Sequence, residues 1–308
     1  MTDSGLVTLV GGTGFLGRHV CEAFEAAGIP AVSLSHNPDT EFLKRHAPSI
    51  RGVSNNSADF AAVLKESRHV IYLAHRSRPG THPADLQAEI NDNLTSVCNV
   101  AETIFSTNPD IRLTYLSSGG QIYGQGHDTP ITEDTPTCPT TTYGLGKLLI
   151  ENALGYYARA LNVPIQIQRL GNPVGRWQLN TSHGLVSAAV VCAMNGRNLQ
   201  IYGKGHNARD YFDADDYAAF LVKQVQDDTF TSGTFNIGSG IGLTELDVVE
   251  AVKHALQKPL DCEHQPARDF DLPYAVLDGR EAGQTLGWAA STPLSQTIRK
   301  LADASLTD

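Results

Sequence analysis

The sequence predicts an α/β fold, a doubly wound parallel sheet that takes up most of the chain, with a smaller C-terminal lobe. Three observations predict it. Short apolar runs of strand composition alternate with helical stretches, and ligand-like loops follow the strands at their C-terminal ends. The first strand passes through a glycine-rich turn directly into a helix. At 308 residues the chain is longer than one compact core needs, which calls for a second lobe. The expected boundaries are 1–170, with a return near 210–240, for the sheet domain, and 171–209 with 241–308 for the lobe.

Leu6-Val7-Thr8-Leu9-Val10 has the composition of a buried parallel strand. It leads into Gly11-Gly12-Thr13-Gly14-Phe15-Leu16-Gly17, then a helical pattern of Val20, Phe24 and Ala27 that stops at Gly28. Glycine permits a tight turn and lets backbone N–H groups approach a pyrophosphate, and the helix N-terminus adds partial positive charge. Gly11, Thr13, Gly14, Phe15, Leu16 and Gly17 are therefore candidate cofactor contacts. The spacing is G-x-x-G-x-x-G, not G-x-G-x-x-G.

Ala31-Val32-Ser33-Leu34 is the second strand, and Ser35-His36-Asn37 follows it. An acidic residue here would accept hydrogen bonds from an adenosine ribose and favour NAD, and none is present. A 2′-phosphate would meet no negative charge, with His36 to assist it and Lys44 or Arg45 as weaker candidates. NADP is therefore open; in the alternative, Ser35 binds the ribose hydroxyls of NAD. Val70-Ile71-Tyr72-Leu73-Ala74 reads as another central strand, with Leu73 and Ala74 at its ligand end. The loop His75-Arg76-Ser77-Arg78-Pro79-Gly80 either faces the cofactor or carries solvated charge. A helix is expected over 83–106, with Asn91 and Asn93 on it. Arg112-Leu113-Thr114-Tyr115-Leu116 forms a strand that runs into Ser117-Ser118-Gly119-Gly120-Gln121-Ile122-Tyr123-Gly124.

Tyr143-Gly144-Leu145-Gly146-Lys147 opens the next helical run, 143–161. The four-residue spacing puts tyrosine and lysine on one helical face, a turn apart. A free phenol has a pKa of about 10 and is a poor base at neutral pH. A fixed ammonium beside it favours the phenolate, and the expectation is that Lys147 moves the Tyr143 pKa towards the working range. Such a tyrosine can exchange a proton with a carbinol oxygen while a hydride leaves or reaches the carbon.

Composition excludes several classes. Hydrophobic residues make up 41% and charged residues 18%, ordinary for a globular protein. The formal net charge is −10, and no Lys/Arg block exceeds two residues, which argues against nucleic acid and an anionic membrane surface as partners. The five cysteines are scattered and never C-x-x-C, as suits a reducing compartment, and no metal site is expected. No apolar run reaches 18 residues and no signal-like N-terminus is seen, so a cytoplasmic location is expected.

Gly11-x-x-Gly14-x-x-Gly17, the serine-rich strand end and Tyr143-x-x-x-Lys147, in this order, resemble the extended short-chain dehydrogenase/reductase family. Later segments resemble its nucleotide-sugar epimerase and dehydratase branch. They are Arg169-Leu170-Gly171-Asn172-Pro173-Val174-Gly175, Arg209-Asp210-Tyr211, Phe235-Asn236-Ile237-Gly238, Arg268-Asp269-Phe270-Asp271 and Leu286-Gly287-Trp288. The resemblance implies a Rossmann-like sheet, NAD or NADP as cofactor, a nucleotide-diphosphate sugar as substrate and a homodimer paired through the helices at 83–106 and 143–161. It makes Tyr143 the acid/base and gives Lys147 the nicotinamide ribose, with Asn93, Ser117 and Pro173 among the cofactor contacts. Asn172, Arg209 and Arg268 would hold the diphosphate, Asp271 a ribose, and Tyr202 the base. Arginine suits bidentate phosphate contact, and an acidic chain needs such local positive charge.

One position departs from the pattern. The family's catalytic Ser or Thr would fall at Gly119. Either Ser118 takes its hydrogen-bonding role, or Tyr143 works more alone; the glycine pair can also make room for a bulky substituent. Two chemistries fit: a 4-epimerase acting through a transient 4-keto sugar, and an NADPH-dependent 4-ketoreductase of a 4-keto-6-deoxy sugar. A dehydratase fits less well, because its usual Asp-Glu pair is replaced by Gly120 and Gln121. A cofactor-sensing binding protein without activity is the reading outside enzymes, and the intact Tyr143 and Lys147 speak against it.

Overall fold

Strand β1, Leu6–Val10, is buried over four of its five residues, because it has neighbours on both edges and helices on both faces. A computed structural model describes residues 5–55, 59–78, 85–178, 184–228 and 230–305. From β1 the chain winds through α1 (Phe15–Ala26), β2 (Ala31–Ser35), α2 (Thr40–His46), β3 (Arg51–Ser54), α3 (Asp59–Glu66) and β4 (Ser67–Tyr72). After α4 (Leu86–Glu89) and α5 (Thr95–Phe105) come β5 (Arg112–Ser118), a short α6 (Gly119–Ile122), α7 (Thr142–Leu161) and β6 (Ile165–Leu170). The seven-stranded parallel sheet has the order β10-β6-β5-β4-β1-β2-β3, its outer strand β10 being Gly233–Ile237. The expected return of the chain at Phe235-Asn236-Ile237 is therefore present, hydrogen-bonded to β6.

Strand periodicity sorts the side chains into two core layers. Ile71 of β4 joins Val7, Leu9, Val20, Phe24, Tyr217 and Leu221 on one face. Its neighbours Val70 and Tyr72 join Val97, Ile104, Ile150 and Leu154 on the other. Each fully buried aliphatic side chain contributes roughly 1.5–3 kcal/mol. The second layer is the one that fixes α7, and with it the Tyr143–Lys147 pair, against β5.

Beyond β6 the chain forms β7 (Asn172–Val174), α8 (Leu185–Asn195), β8 (Leu199–Tyr202), β9 (Ala208–Asp213) and α9 (Ala214–Gln226). After β10 come β11 (Gly242–Thr244), α10 (Glu245–Leu256), β12 (Cys262–Gln265), β13 (Tyr274–Ala275), α11 (Arg280–Leu286) and α12 (Leu294–Ala304). A small sheet centres on β9, which pairs with β7, β11 and β13, while β8 pairs with β12. A third apolar cluster, with Val186, Val190, Ile201, Val248, Val252 and Ile298, packs α8, α10 and α12 together.

The helix expected over 83–106 is not continuous. Between α4 and α5 the backbone makes a π-helical turn, Ile90–Leu94, and Asn93 sits in it, buried. Residues 83 and 84 lie outside the described residues, as do Pro79 and Gly80 of the expected loop. Among the described residues no helix is long and apolar enough to cross a membrane, and no group of His, Cys, Asp or Glu is placed to hold a metal ion.

Candidate active site

The glycine turn joins β1 to α1, as the motif requires. Gly11 has φ +90°, a left-handed conformation, and its Cα faces the backbone of Ala74 beyond β4. A Cβ on Gly17 would overlap the backbone of Gly11 and Gly12, so α1 can close onto the turn only with glycine there. Gly14 caps α1 without a side-chain hydrogen bond, leaving the first turn of a 12-residue helix uncapped by side chains. Leu73 N donates to Val10 O at 2.8 Å, which sets Leu73 and Ala74 beside the turn at the point where strand order reverses. The residues present thus form a cradle that suits a dinucleotide pyrophosphate.

At the end of β2, Ser35 and His36 lie where sequence reasoning put them, and a neighbouring pair was missed. Arg18 Nη2 meets Asp39 Oδ2 at 2.6 Å, and Arg18 Nε donates to Thr13 O at 3.1 Å. Asp39 also accepts from Phe42 N at 2.9 Å and so caps α2. The arginine lies over the Phe42 and Trp177 rings, at 4.7 and 5.1 Å. This end of the site therefore holds both a cation and a carboxylate. Phe15 meets His19 edge-on, and Leu16 packs into the first core layer.

Thr141 caps α7 by accepting from Gly144 N at 3.0 Å, which starts the helix immediately before Tyr143. Tyr143 lies in the first turn. Lys147, one turn later, is buried, and its Nζ donates to Leu116 O at 2.7 Å. That nitrogen is 5.0 Å from the Tyr115 ring centre and 5.8 Å from that of Tyr143. The Ser118 side chain lies close enough to Tyr143 to favour its phenolate. Gly119 leaves no space for a substituent, because a Cβ there would lie 2.5 Å from Leu277 Cδ1. Leu277 occupies the room at Gly119, whereas a Cβ on Gly120 would meet nothing within 4 Å, so only the second glycine of the pair leaves open space. Ser117 is buried beside Ser118.

The expected lowering of the Tyr143 pKa is not found. Burial pushes the phenol up to about 12, the Ser118 hydroxyl opposes that, and the Glu89 charge adds to it. The Lys147 ammonium turns to the Leu116 carbonyl, and burial brings its own pKa down to about 7 against the opposing charges of Glu89 and Glu151. Sequence cannot weigh burial against charge in this way. Of the His75–Gly80 loop, the described part, 75–78, borders the site. Its His75 ring in fact lies edge-on to Tyr143, with centroids 5.0 Å apart. Arg76 N donates to Asn93 Oδ1 at 2.9 Å, which pins the loop to the π-helical turn.

The lobe begins beside this pair. Ser118 is level with Leu170 across β5 and β6, so the chain enters β7 at Asn172 next to the Ser118–Tyr143 contact. Asn172 Nδ2 donates to Asp210 O at 3.0 Å, and Pro173 sits opposite Phe212. Asp210 is wholly buried and accepts from Ser239 N at 3.1 Å rather than pairing with Arg209. Arg209 Nη1 donates to Ala208 O at 2.8 Å, with the charges of Asp271 and Glu245 close by. Arg268 stacks over Tyr202 at 4.1 Å and holds Asp271 through Nε and Nη2, at 2.8 and 2.9 Å. Tyr202, Arg209, Arg268 and Asp271 are thus brought together, with Asp271 as the partner of Arg268. Arg169, part of the motif that led to Asn172, faces inward and grips Glu151 in a buried pair.

The profile of the NAD dependent epimerase/dehydratase family matches residues 7–238. The chain belongs to that family. Two relatives illustrate the range within it. The dTDP-4-dehydro-6-deoxyglucose reductase of Escherichia coli is 26% identical over 307 residues, with 96% of each chain covered. The UDP-glucose 4-epimerase of Yersinia pestis is 27% identical over 324 residues, with 94% of each covered. In three dimensions the fold matches the Stenotrophomonas maltophila UDP-glucose 4-epimerase, solved with bound NAD and formylated UDP-arabinopyranose. The TM-score is 0.89 at 23% identity, and 98% of each chain is covered. The family places both epimerases and reductases on this one fold, so the choice between them rests on the site.

Proposed function

We propose that the protein is an NAD- or NADP-dependent nucleotide-sugar 4-epimerase, of the UDP-hexose or UDP-N-acetylhexosamine type, acting through a transient 4-keto sugar. The observation that carries this is the Ser118–Tyr143–Lys147 arrangement at the C-terminal end of β5, beside the glycine cradle and facing the start of the lobe. Gly11, Thr13, Gly14, Phe15, Leu16 and Gly17 hold the pyrophosphate. Leu73, Ala74, Asn93, Ser117 and Pro173 line the nicotinamide half, and Ser35 and His36 the adenosine half. A bound nicotinamide would supply the group that takes up a hydride from the sugar carbon and gives it back. Tyr143 takes the proton of the sugar 4-hydroxyl and gives it back, so no net oxidation results. Burial holds the phenol at about 12, so its anion needs stabilisation, which Ser118 supplies in part. Asn172, Arg209 and Arg268 hold the diphosphate, Tyr202 the base and Asp271 a ribose; Asp271 exchanges part of its hold on Arg268 for that contact. The lobe, 171–209 with 241–308, closes the substrate side of the site.

The 4-ketoreductase reading is supported by the lack of an acidic residue at 35–37 and by the likeness to the Escherichia coli reductase. The discriminating experiment is the absorbance and mass of the cofactor that co-purifies. Tightly held NAD(H) is expected for the epimerase. A site that exchanges NADPH freely, with consumption of NADPH by a 4-keto-6-deoxy sugar nucleotide, would replace it with the reductase.

A further inference from the structure

Glu89, the last residue of α4, buries a carboxylate where an uncompensated charge would cost several kcal/mol. Its side chain is 1% exposed, and that of His75 is 8% exposed, with His75 Nε2 2.9 Å from Glu89 Oε1. Burial pushes the carboxyl upward, but the nearby polar groups of His75, Ser77 and Asn93 hold Glu89 below the usual carboxylate range, although neither Glu89 oxygen makes a hydrogen bond of good geometry among the described residues. On its other side the carboxylate touches α7. A Cβ at Gly146 would overlap Glu89 Oε1, so the glycine next to Lys147 is what lets the acid reach the helix between Tyr143 and Lys147. His75 in turn packs its ring edge-on against Tyr143.

We propose that Glu89 is the buried counter-charge of Lys147 and that Glu89 and His75 act together as positioning residues for the Tyr143–Lys147 pair. This rests on the acid–base reading given above. The groups facing Lys147 are Tyr115 from β5, Tyr143 and Glu151 from α7, Glu89 from α4, and His75 from the loop after β4. Glu151 is already matched by the guanidinium of Arg169. The partners of Glu89 are neutral by contrast, since burial and the Lys147 charge bring His75 down to about 4. Glu89 is therefore the carboxylate whose charge is left to act on Lys147. Facing a carboxylate, a neutral imidazole is held in the Nε2–H tautomer, which fixes its ring against Tyr143.

The sign follows directly. Burial lowers the Lys147 pKa, and the Glu89 charge raises it. Removing that charge should make Lys147 lose its proton at lower pH. The test follows the titration of the Lys147 ammonium by nitrogen NMR in the full chain, with Lys147→Met for assignment. In Glu89→Gln the midpoint should fall by about one pH unit, and in Glu89→Asp, which keeps the charge, it should stay nearer the native value. In His75→Phe, which removes one of the polar groups that keep Glu89 ionised, it should fall by less. With a sugar that the native enzyme accepts, the alkaline limb of single-turnover cofactor reduction should move down by the same interval, with KM little changed. An unchanged Lys147 midpoint in folded Glu89→Gln overturns the proposal. If that variant does not fold, an unchanged midpoint in His75→Phe does so. The titration needs no substrate, so a native protein inert towards every sugar would sink the functional reading and leave this result legible.

Discussion

Gly119 shows how much a missing side chain can say. Its position is the one the family gives to a catalytic Ser or Thr, and sequence left open what the loss meant. The space is filled by Leu277, whose place against Gly119 no local pattern could announce because it comes from far along the chain. Restoring the family residue should therefore harm the protein. Gly119→Ser is expected to lower stability by about 1–3 kcal/mol through overpacking, with no gain in turnover. Combined with Leu277→Ala, itself a costly buried truncation, it should cost less than the sum of the two separate losses in denaturant melts. Tyr143 and Lys147 were legible because spacing alone sets them on one face of a helix. Their protonation was not legible, since it depends on burial, on the Leu116 carbonyl and on Glu89, which approaches from another helix.

Among the elements, α1 and its turn were legible nearly to the residue, because three glycines at that spacing allow few backbones. Gly17 is the strictest of them. Gly17→Ala should push α1 off the backbone of Gly11 and Gly12, cost about 1–3 kcal/mol, and weaken cofactor binding measured by calorimetry more than it weakens the fold. Cofactor affinity equal to that of the native chain in Gly17→Ala would contradict the cradle assigned here. The π-helical turn at Ile90–Leu94 was not legible. One extra residue in a turn leaves the apolar periodicity of its flanks intact, and the 83–106 stretch reads as a single helix. Yet that turn is where Asn93 meets the loop carrying His75, and such insertions are frequent at functional sites.

For the molecule as a whole, the parallel sheet and the late return of the chain at β10 followed from the alternation of strand and helix. The pairing of Arg268 with Asp271 did not, because two acids, Asp269 and Asp271, follow that arginine at short range. On α7, Tyr156 and Leu161 are 61% and 51% exposed, large side chains that the described residues leave mostly uncovered. We propose that α5 and α7 pair with their copies in a homodimer. Light scattering at micromolar concentration should give twice the chain mass, and Tyr156→Glu with Leu161→Glu should reduce it to the monomer.

The central claim is that Tyr143 moves the proton. Tyr143→Phe removes one hydroxyl and keeps the ring that His75 and Lys147 pack against, so fold and cofactor binding should survive. The most direct measurement is single-turnover reduction of bound cofactor by a panel of UDP- and dTDP-sugars, comparing native protein, Tyr143→Phe and Ser118→Ala. General acid–base catalysis is worth about 10²- to 10⁴-fold, so Tyr143→Phe should lose that much while binding of the nucleotide sugar changes little. Ser118→Ala should cost less, as one neutral hydrogen bond contributes about 0.5–1.5 kcal/mol. A near-native rate in Tyr143→Phe, on a sugar that the native enzyme accepts, would contradict the account.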